Sequence, residues 1–264
     1  MKKIKVVQMG LGPIGNKATL YLAERENLQI VGAVDADPAK VGKDVGVLAG
    51  LAPLGVAVKP DIAQALAGQS ADVVLLTTSS ALTRIADQLK QVLPFGVHVV
   101  SSCEELSYPW QTNPAVAGEI DELAKKHGVS VLATGVNPGF LMDFLPIAMT
   151  GVCKSVRQVT VERIQDATFR RIPFQKKIGA GLTQAEFQAK VEQGVLRHVG
   201  LTESVQMIAS RLGWRLDSTS DEIAPVVAEK DVPLGDGVIE AGKVLGVRQI
   251  GRGIVNGREA ITLF

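Results

Sequence analysis

The sequence predicts an α/β fold in two parts: a parallel sheet covered by helices over residues 1–138, and an α+β domain built on an open sheet over residues 139–264. Two patterns carry this expectation. Up to about residue 135, short apolar runs of strand length alternate with helical patterns, the order that places a parallel sheet between helical layers. From about residue 155, apolar residues alternate singly with polar ones, as on strands that keep one face in water.

The first predicted strand covers residues 4–9, followed by a helix over 13–25 with Ile14, Ala18, Tyr21 and Leu22 on one face. LQIVGAVD at 28–35 reads as the second strand. After a glycine-rich loop, DIAQALAG is a short helix capped by Asp61, and it leads into the third strand, DVVLLTT at 72–78. A helix over 81–91, a fourth strand GVHVVSS at 96–102, a helix over 113–127 and a strand VSVLATG at 129–135 continue the alternation. In the second part, SVRQVTVERIQD alternates like a strand and TQAEFQAKVEQG opens with a capping box from Thr183 to Glu186. LTESVQMIASRLG is helical, and strand patterns fill 222–229 and 238–264. The closing GREAITLF stops on an alternating strand without a polar tail, so the second domain is expected to be incomplete at its C-terminus.

Composition narrows the function classes. With 28 basic against 27 acidic residues, no charge field favours a nucleic-acid backbone or an anionic membrane, so the expected partner is a small molecule. The two cysteines, Cys103 and Cys153, have neither disulfide-framework nor metal-ligand spacing, which predicts no metal and a reducing, cytoplasmic setting. The N-terminal apolar run is too short for a signal peptide and no stretch is long enough to span a bilayer.

The strand at 4–9 runs directly into GLGPIG and then into a helix, the context in which G-x-G-x-x-G serves as a dinucleotide fingerprint. Gly10 permits the tight turn, Gly12 lets the backbone approach a pyrophosphate, and Gly15 lets the helix pack on the strand. Pro13 suits the first helical turn, and the amides around Pro13, Ile14 and Gly15 meet negative charge. Asp35, 20 residues after Gly15, ends the second strand where an acid accepts hydrogen bonds from the adenosine ribose. The first domain therefore reads as a Rossmann dinucleotide-binding domain. A carboxylate repels a 2′-phosphate, so NAD is favoured over NADP, although Lys40 or Lys43 can reach an added phosphate. Asp37 in DADP reads as a turn residue.

Ligands of open parallel sheets lie at the carboxyl ends of the strands. Here these ends are TTSS at 77–80 and SSCEEL at 101–106. Thr77, Thr78, Ser79 and Ser102 are candidates for the nicotinamide side of the cofactor, with a helix cap the competing role for Ser79 or Ser80. Glu104 and Glu105 stand where the nicotinamide ring ends, and position alone leaves open which of them is a general acid/base and which a solvated loop acid. Cys103 reads as a packing residue.

GLGPIG, SSCEELSYPW, TGVNPGFLMDFLP, RRIPFQKKIGAG and RHVGLTESVQMIA together resemble the 2,4-diaminopentanoate dehydrogenases and related native amine dehydrogenases, whose fold is like that of dihydrodipicolinate reductase. The resemblance runs over essentially the whole chain, and the family extends beyond the strand on which this sequence stops. It implies a reversible NAD(P)-dependent oxidative deamination, in which the amine carbon yields hydride to the nicotinamide and the iminium is hydrolysed to ketone and ammonia. It also assigns the catalytic acid/base to the first glutamate of CEEL, Glu104, and places Asn137 at the substrate edge.

Other functions fit less well. Dihydrodipicolinate reductase uses a paired-histidine segment followed by lysine, whereas His98, His127 and His198 are never adjacent here. A sugar or aldehyde oxidoreductase of the glucose-fructose oxidoreductase type needs a Glu-Lys-Pro motif, and CEELSYP lacks the lysine. A non-catalytic dinucleotide sensor needs an interaction module that the sequence does not show. His98 and His127 read as structural, and His198 as a loop residue or substrate contact. Arg163 is a candidate to face the substrate, where an amino-acid carboxylate would need a cation. Arg170, Arg171, Lys176 and Lys177 read as a solvated or interface surface. The second domain's sheet is expected to pair across a homodimer.

Overall fold

The computed structural model describes residues 2–167, 175, 178–234 and 237–264. The chain divides into two compact units, Met1–Gly139 and Phe140–Phe264.

The first unit is built on a six-stranded parallel sheet, β1 (Ile4–Met9), β2 (Leu28–Val34), β3 (Val58–Lys59), β4 (Val73–Leu76), β5 (His98–Ser101) and β6 (Val131–Ala133), in the order β3-β2-β1-β4-β5-β6. The chain runs outward from β1 through β2 to β3, then returns to place β4 on the other side of β1. That reversal opens a crevice at the carboxyl ends of β1 and β4, where such sheets bind ligands. Apolar strands form because both faces are covered: Val7, Val74, Leu76 and Val99 are buried with Ile85, Leu89 and Val92 of helix α4 (Leu82–Val92) and Ile120 of α5 (Pro114–Lys126). Each fully buried Leu or Ile contributes about 2 kcal/mol, so α4 is held by its packing face more than by intrinsic propensity.

Helix α1 (Pro13–Ala23) buries a different face from the one its apolar residues predict. Gly15 and Thr19 are buried, while Ile14 is 62% and Tyr21 53% exposed. The reason is steric. A Cβ on Gly15 would lie 1.8 Å from the Gly10 carbonyl oxygen, so the helix approaches the sheet through its smallest residue, and Thr19 satisfies its own hydroxyl by donating to the Gly15 carbonyl at 2.9 Å. The predicted glycine-rich loop also contains structure: α2 (Val45–Leu48) and β3, with α3 (Ile62–Ala65) following the Asp61 cap. Asp44 organises that loop by accepting from the amides of Gly46, Val47, Leu54 and Val56, a device without periodicity. Because β3 joins the sheet, the CEEL segment follows the fifth strand rather than the fourth.

The second unit carries a four-stranded mixed sheet in the order β7-β12-β11-β8, namely β7 (Val159–Val161), β8 (Ser218–Val227), β11 (Val244–Val255) and β12 (Arg258–Leu263). Strands β9 (Val232–Leu234) and β10 (Gly237–Ile239) form a separate antiparallel pair. Among the described residues, three helices accompany them: α6 (Phe144–Thr150), α7 (Gln184–Glu192) and α8 (Leu201–Arg211). Thr183 and Glu186 form the expected capping box on α7. Helix α6 escaped the sequence reading because it is short and carries Pro146, tolerable in its first turn, where Asp143 caps it by accepting from the Phe144 amide. The predicted strand from residue 155 shrinks to β7, an edge strand paired with β12 only from Val159 to Val161. Strand β8 instead begins earlier, at Ser218, because its polar start is held by the ladder to β11. One face of the sheet packs on α8, where Cβ atoms on Gly251 and Gly253 would press on Leu201 and Val205.

Candidate active site

The register aligns the carboxyl ends of the first unit's strands into one row. Asp35 follows β2, Gly10 follows β1, Thr77 follows β4, Ser102 follows β5 and Thr134 follows β6. Their amides continue the ladder: Gly10 to Val34 (2.8 Å), Asp35 to Lys59 (3.1 Å), Thr77 to Met9 (2.8 Å), Ser102 to Leu76 (3.1 Å) and Thr134 to Ser101 (2.9 Å). The candidates from Gly10 to Ser102 are thus brought together by parallel pairing.

Each glycine of the turn has its own physical reason. Gly10 adopts φ +92°, a conformation costly for any side chain, and a Cβ there would meet Thr78 Cγ2 at 2.8 Å. Gly15 is fixed by contact with Gly10. Gly12 has φ −75° and ψ −171°, which every residue adopts, and an added Cβ meets nothing within 4 Å. Nothing among the described residues requires glycine at position 12. It is the N-cap of α1 and supplies no side-chain cap, the first helical turn has no acid, and Pro13 removes one amide that needs no partner. The space over Gly12 and the uncapped amides fit a pyrophosphate.

Asp35 is tied into this turn. Its carboxylate accepts from the Leu11 amide at 2.7 Å and the Asp37 amide at 2.9 Å, and Lys40 Nζ lies 3.0 Å from Oδ2. Burial raises its pKa, but the Asp37 and Leu11 amides and the Lys40 ammonium outweigh that and hold it below the ordinary carboxylate range. The group is therefore ionised at neutral pH, and its support of the turn is lost only as pH falls through that depressed value.

The TTSS segment is largely occupied with holding the crevice. Thr77 donates to the Gly10 carbonyl at 2.9 Å and accepts from Gln8 Nε2 at 2.9 Å, Thr78 donates to Gln88 at 2.6 Å, and the Ser79 hydroxyl accepts from the Ala81 amide at 3.2 Å. Gln8, a fully buried amide in the middle of β1, was missed in sequence although it is the lone polar residue of the run VVQM.

The CEEL segment divides its two acids. Glu105 accepts from the Leu82 amide at 2.8 Å, capping α4, whose N-cap Ala81 has no side chain to do so. The Glu105 amide and the Cys103 thiol both donate to the Ser80 carbonyl, each at 3.2 Å, and the Cys103 amide donates to Ser101 Oγ at 3.1 Å. Burial, followed by the nearby Glu104 and Glu105 charges, pushes the Cys103 thiol up to about 12 despite amide donors from Leu106 and Glu105, so it stays protonated as a packing residue. Glu104 begins the 3-10 turn Glu104–Leu106 that this bracket holds, and its half-buried carboxylate is engaged by no hydrogen bond among the described residues.

Residues 140–264 match the family described as 2,4-diaminopentanoate dehydrogenase C-terminal domain, and residues 4–103 match that described as dihydrodipicolinate reductase, N-terminus. The chain is 36% identical to a 2,4-diaminopentanoate dehydrogenase of Acetoanaerobium sticklandii, with 100% of this chain and 75% of that protein covered. The chain belongs to the 2,4-diaminopentanoate dehydrogenase family. It is 26% identical to an amine dehydrogenase of Streptomyces virginiae, over 98% of this chain and 74% of that one. The solved amine dehydrogenase of Mycobacterium smegmatis superimposes with a TM-score of 0.79 at 26% identity, covering 98% of this chain and 77% of that one. Membership of this family makes the protein an oxidoreductase of the amine dehydrogenase kind on a Rossmann-type scaffold.

The substrate candidates lie in both units. Asn137 sits in the last loop of the first unit, where Gly139 adopts φ +113° and a Cβ there would fall 2.5 Å from the Gly135 amide nitrogen. In the second unit, the Arg163 amide extends β7 by donating to the Phe264 carbonyl at 2.8 Å. The His198 backbone is clasped by Gln249, which accepts from its amide at 2.7 Å and donates to its carbonyl at 3.0 Å. Gln249 also donates to both oxygens of Asp221, whose pKa is raised by burial against the lowering effect of Gln249 and Arg197. Gln249 and Asp221 escaped the sequence reading, since one lies on an apolar strand and the other among surface-like serines. Arg170, Arg171, Lys176 and Lys177 lie outside the described residues. His98 is structural, its Nδ1 accepting from the Ser130 amide at 3.0 Å, and His127 closes α5.

Proposed function

We propose that the protein catalyses the reversible, NAD(P)-dependent oxidative deamination of a small amine, 2,4-diaminopentanoate or a close relative, to a ketone and ammonia. The observation that carries the chemistry is the division of labour in CEEL: Glu105 is committed to capping α4, and Glu104 is the acid left to exchange protons. Gly12, with no internal reason to be glycine, supports the cofactor. The residues that would hold it are Gly10, Gly12, Pro13, Ile14 and Gly15 at the pyrophosphate, Asp35 at the adenosine ribose, and Thr77, Thr78, Ser79 and Ser102 towards the nicotinamide. The nicotinamide supplies the hydride acceptor. Glu104 takes the proton released as the ammonium becomes a reactive amine and passes it to solvent; as the carboxylate again, it stabilises the iminium left when hydride departs, deprotonates the water that adds to the iminium carbon, and hands that proton to the carbinolamine nitrogen. Collapse of the resulting carbinolamine expels ammonia and leaves the ketone. Asn137, Arg163 and His198 are proposed substrate contacts, with Arg163 suited to a substrate carboxylate. In the reductive direction, NADH or NADPH consumption by a ketone is expected only when ammonium is present. Consumption independent of ammonium would favour a sugar or aldehyde reductase instead.

NAD is the favoured cofactor, because an ionised Asp35 would repel a 2′-phosphate brought to the end of β2, and Lys40 is already paired with that carboxylate. Asp35→Asn, which keeps an acceptor but removes the charge and releases Lys40, is expected to lower the NAD/NADP ratio of specificity constants about tenfold. An unchanged ratio removes Asp35 from the adenosine site.

We further infer a cytoplasmic homodimer formed through the second unit. The sheet face opposite α8 carries Glu222, Ala224, Val226, Arg248 and Arg252 by strand alternation, and Arg252 pairs there with Glu222 at 2.7 Å and Glu259 at 3.1 Å. Light scattering at micromolar concentration is expected to give twice the chain mass, and a monomer would contradict the dimer. Both cysteines are free thiols, in keeping with a reducing compartment, and no helix among the described residues is long and apolar enough to cross a membrane.

A further inference from the structure

We propose that Gln8 is a positioning residue for the cofactor, acting through the Gly10 carbonyl rather than by touching the dinucleotide. The inference rests on the reading of the first unit as a dinucleotide site.

Gln8 is fully buried in the central strand β1, where an apolar residue would pack without cost. Its Nε2 donates to the Gly10 carbonyl and to Thr77 Oγ1, each at 2.9 Å, and Thr77 Oγ1 itself donates to the Gly10 carbonyl at 2.9 Å. The three groups form a closed triangle whose apex is the Gly10 oxygen. Facing two acceptors, one of them a carbonyl that can only accept, the amide end must be nitrogen, which fixes its orientation. The other end, Gln8 Oε1, is buried with no hydrogen-bond partner among the described residues. A buried, half-satisfied amide is unfavourable for the fold in itself. Its favourable action is concentrated on one atom, and that atom is the contact on which α1 rests: a Cβ on Gly15 would fall 1.8 Å from it.

Pinning the Gly10 oxygen from below sets the tilt of the Gly10 peptide. That tilt sets the approach of α1 and hence the aim of the amides that follow Gly12. Preorganised donors bind without having to be ordered by the ligand, so loosening the peptide should weaken the cofactor without altering the chemistry at Glu104. The arrangement also changes the part played by Thr77. Its hydroxyl belongs to the lock, so its loss and the loss of Gln8 should be coupled.

The test measures the Kd for NADH and NADPH by fluorescence, alongside thermal unfolding of the cofactor-free protein. Gln8→Met fills the same volume, removes the unsatisfied oxygen and leaves Gly10 with the Thr77 bond. It is expected to weaken cofactor binding about tenfold and raise the cofactor KM in parallel, with kcat at saturation within about twofold and no fall in the unfolding temperature. A purely structural role predicts the reverse, a drop in unfolding temperature with unchanged Kd. Gln8→Asn, too short to bridge both oxygens, keeps the test decisive if the Met variant does not fold, and is expected to weaken binding likewise. In a double-mutant cycle with Thr77→Val, the two losses are expected to be non-additive, because Gly10 then loses both partners. Unchanged Kd in the Gln8 variants, or strict additivity with Thr77→Val, overturns the proposal. Failure of the wild-type protein to bind either dinucleotide overturns both this proposal and the reading of the site on which it rests.

Discussion

Glu104→Gln is expected to lower turnover about a hundredfold or more while leaving cofactor affinity near wild type. Glutamine keeps the size of the side chain and its place in the 3-10 turn, but it can neither hold the negative charge that stabilises an iminium nor take a proton from water. Glu105→Gln is expected to do much less, because a neutral amide oxygen still accepts from the Leu82 amide and caps α4. Glu105→Ala should cost about 1 kcal/mol of stability through the lost cap. Steady-state kinetics of the two glutamine variants decide the assignment: the opposite ranking would move the chemistry to Glu105, and full activity in both would end the glutamate mechanism.

Gly15→Ala and Gly12→Ala should fail in different ways although both place a methyl group in the same turn. At Gly15 the methyl would lie 1.8 Å from the Gly10 oxygen and 2.8 Å from Thr77 Oγ1, so α1 must move off the sheet. That displacement is expected to cost about 3 kcal/mol of stability and, by misaiming the amides, about a hundredfold in cofactor affinity. At Gly12 the methyl meets nothing within 4 Å, so thermal stability should hold while the dinucleotide is shut out. Thermal unfolding and NADH titration of the two variants separate these outcomes. A Gly12→Ala protein that binds NADH like wild type would mean that the pyrophosphate does not approach there.

Much of this was legible in the sequence, because its signals were local and repeated. The alternation of apolar runs with helical patterns gives the parallel sheet, and GLGPIG between a strand and a helix gives the turn with its distinct glycines. The capping box at Thr183 and Glu186 was equally readable, being a fixed spacing of residue types. The misreadings arose where a contact between distant residues overrode a local pattern. Ile14 and Tyr21 belong to an apolar stripe, yet α1 turns Gly15 and Thr19 inward because the Gly10 oxygen admits no larger side chain. The loop organised by Asp44 hides β3, since four amides collected by one carboxylate leave no periodic trace. The two acids of CEEL are adjacent in sequence and indistinguishable by position; the family resemblance singles out Glu104, and the bond from Leu82 to Glu105 gives the physical difference. Gln8 and Gln249 were invisible in the sequence because each works through bonds to another element.

Amine dehydrogenation through Glu104 can be followed by reduced-nicotinamide absorbance when the protein is mixed with NAD or NADP and 2,4-diaminopentanoate or a panel of short-chain amines. The expected result is amine-dependent reduction of the cofactor with ammonia released in equal amount, suppressed in Glu104→Gln. Absence of turnover with every amine, under conditions where NADH binding is demonstrated, would contradict it and favour a non-catalytic dinucleotide-sensing role.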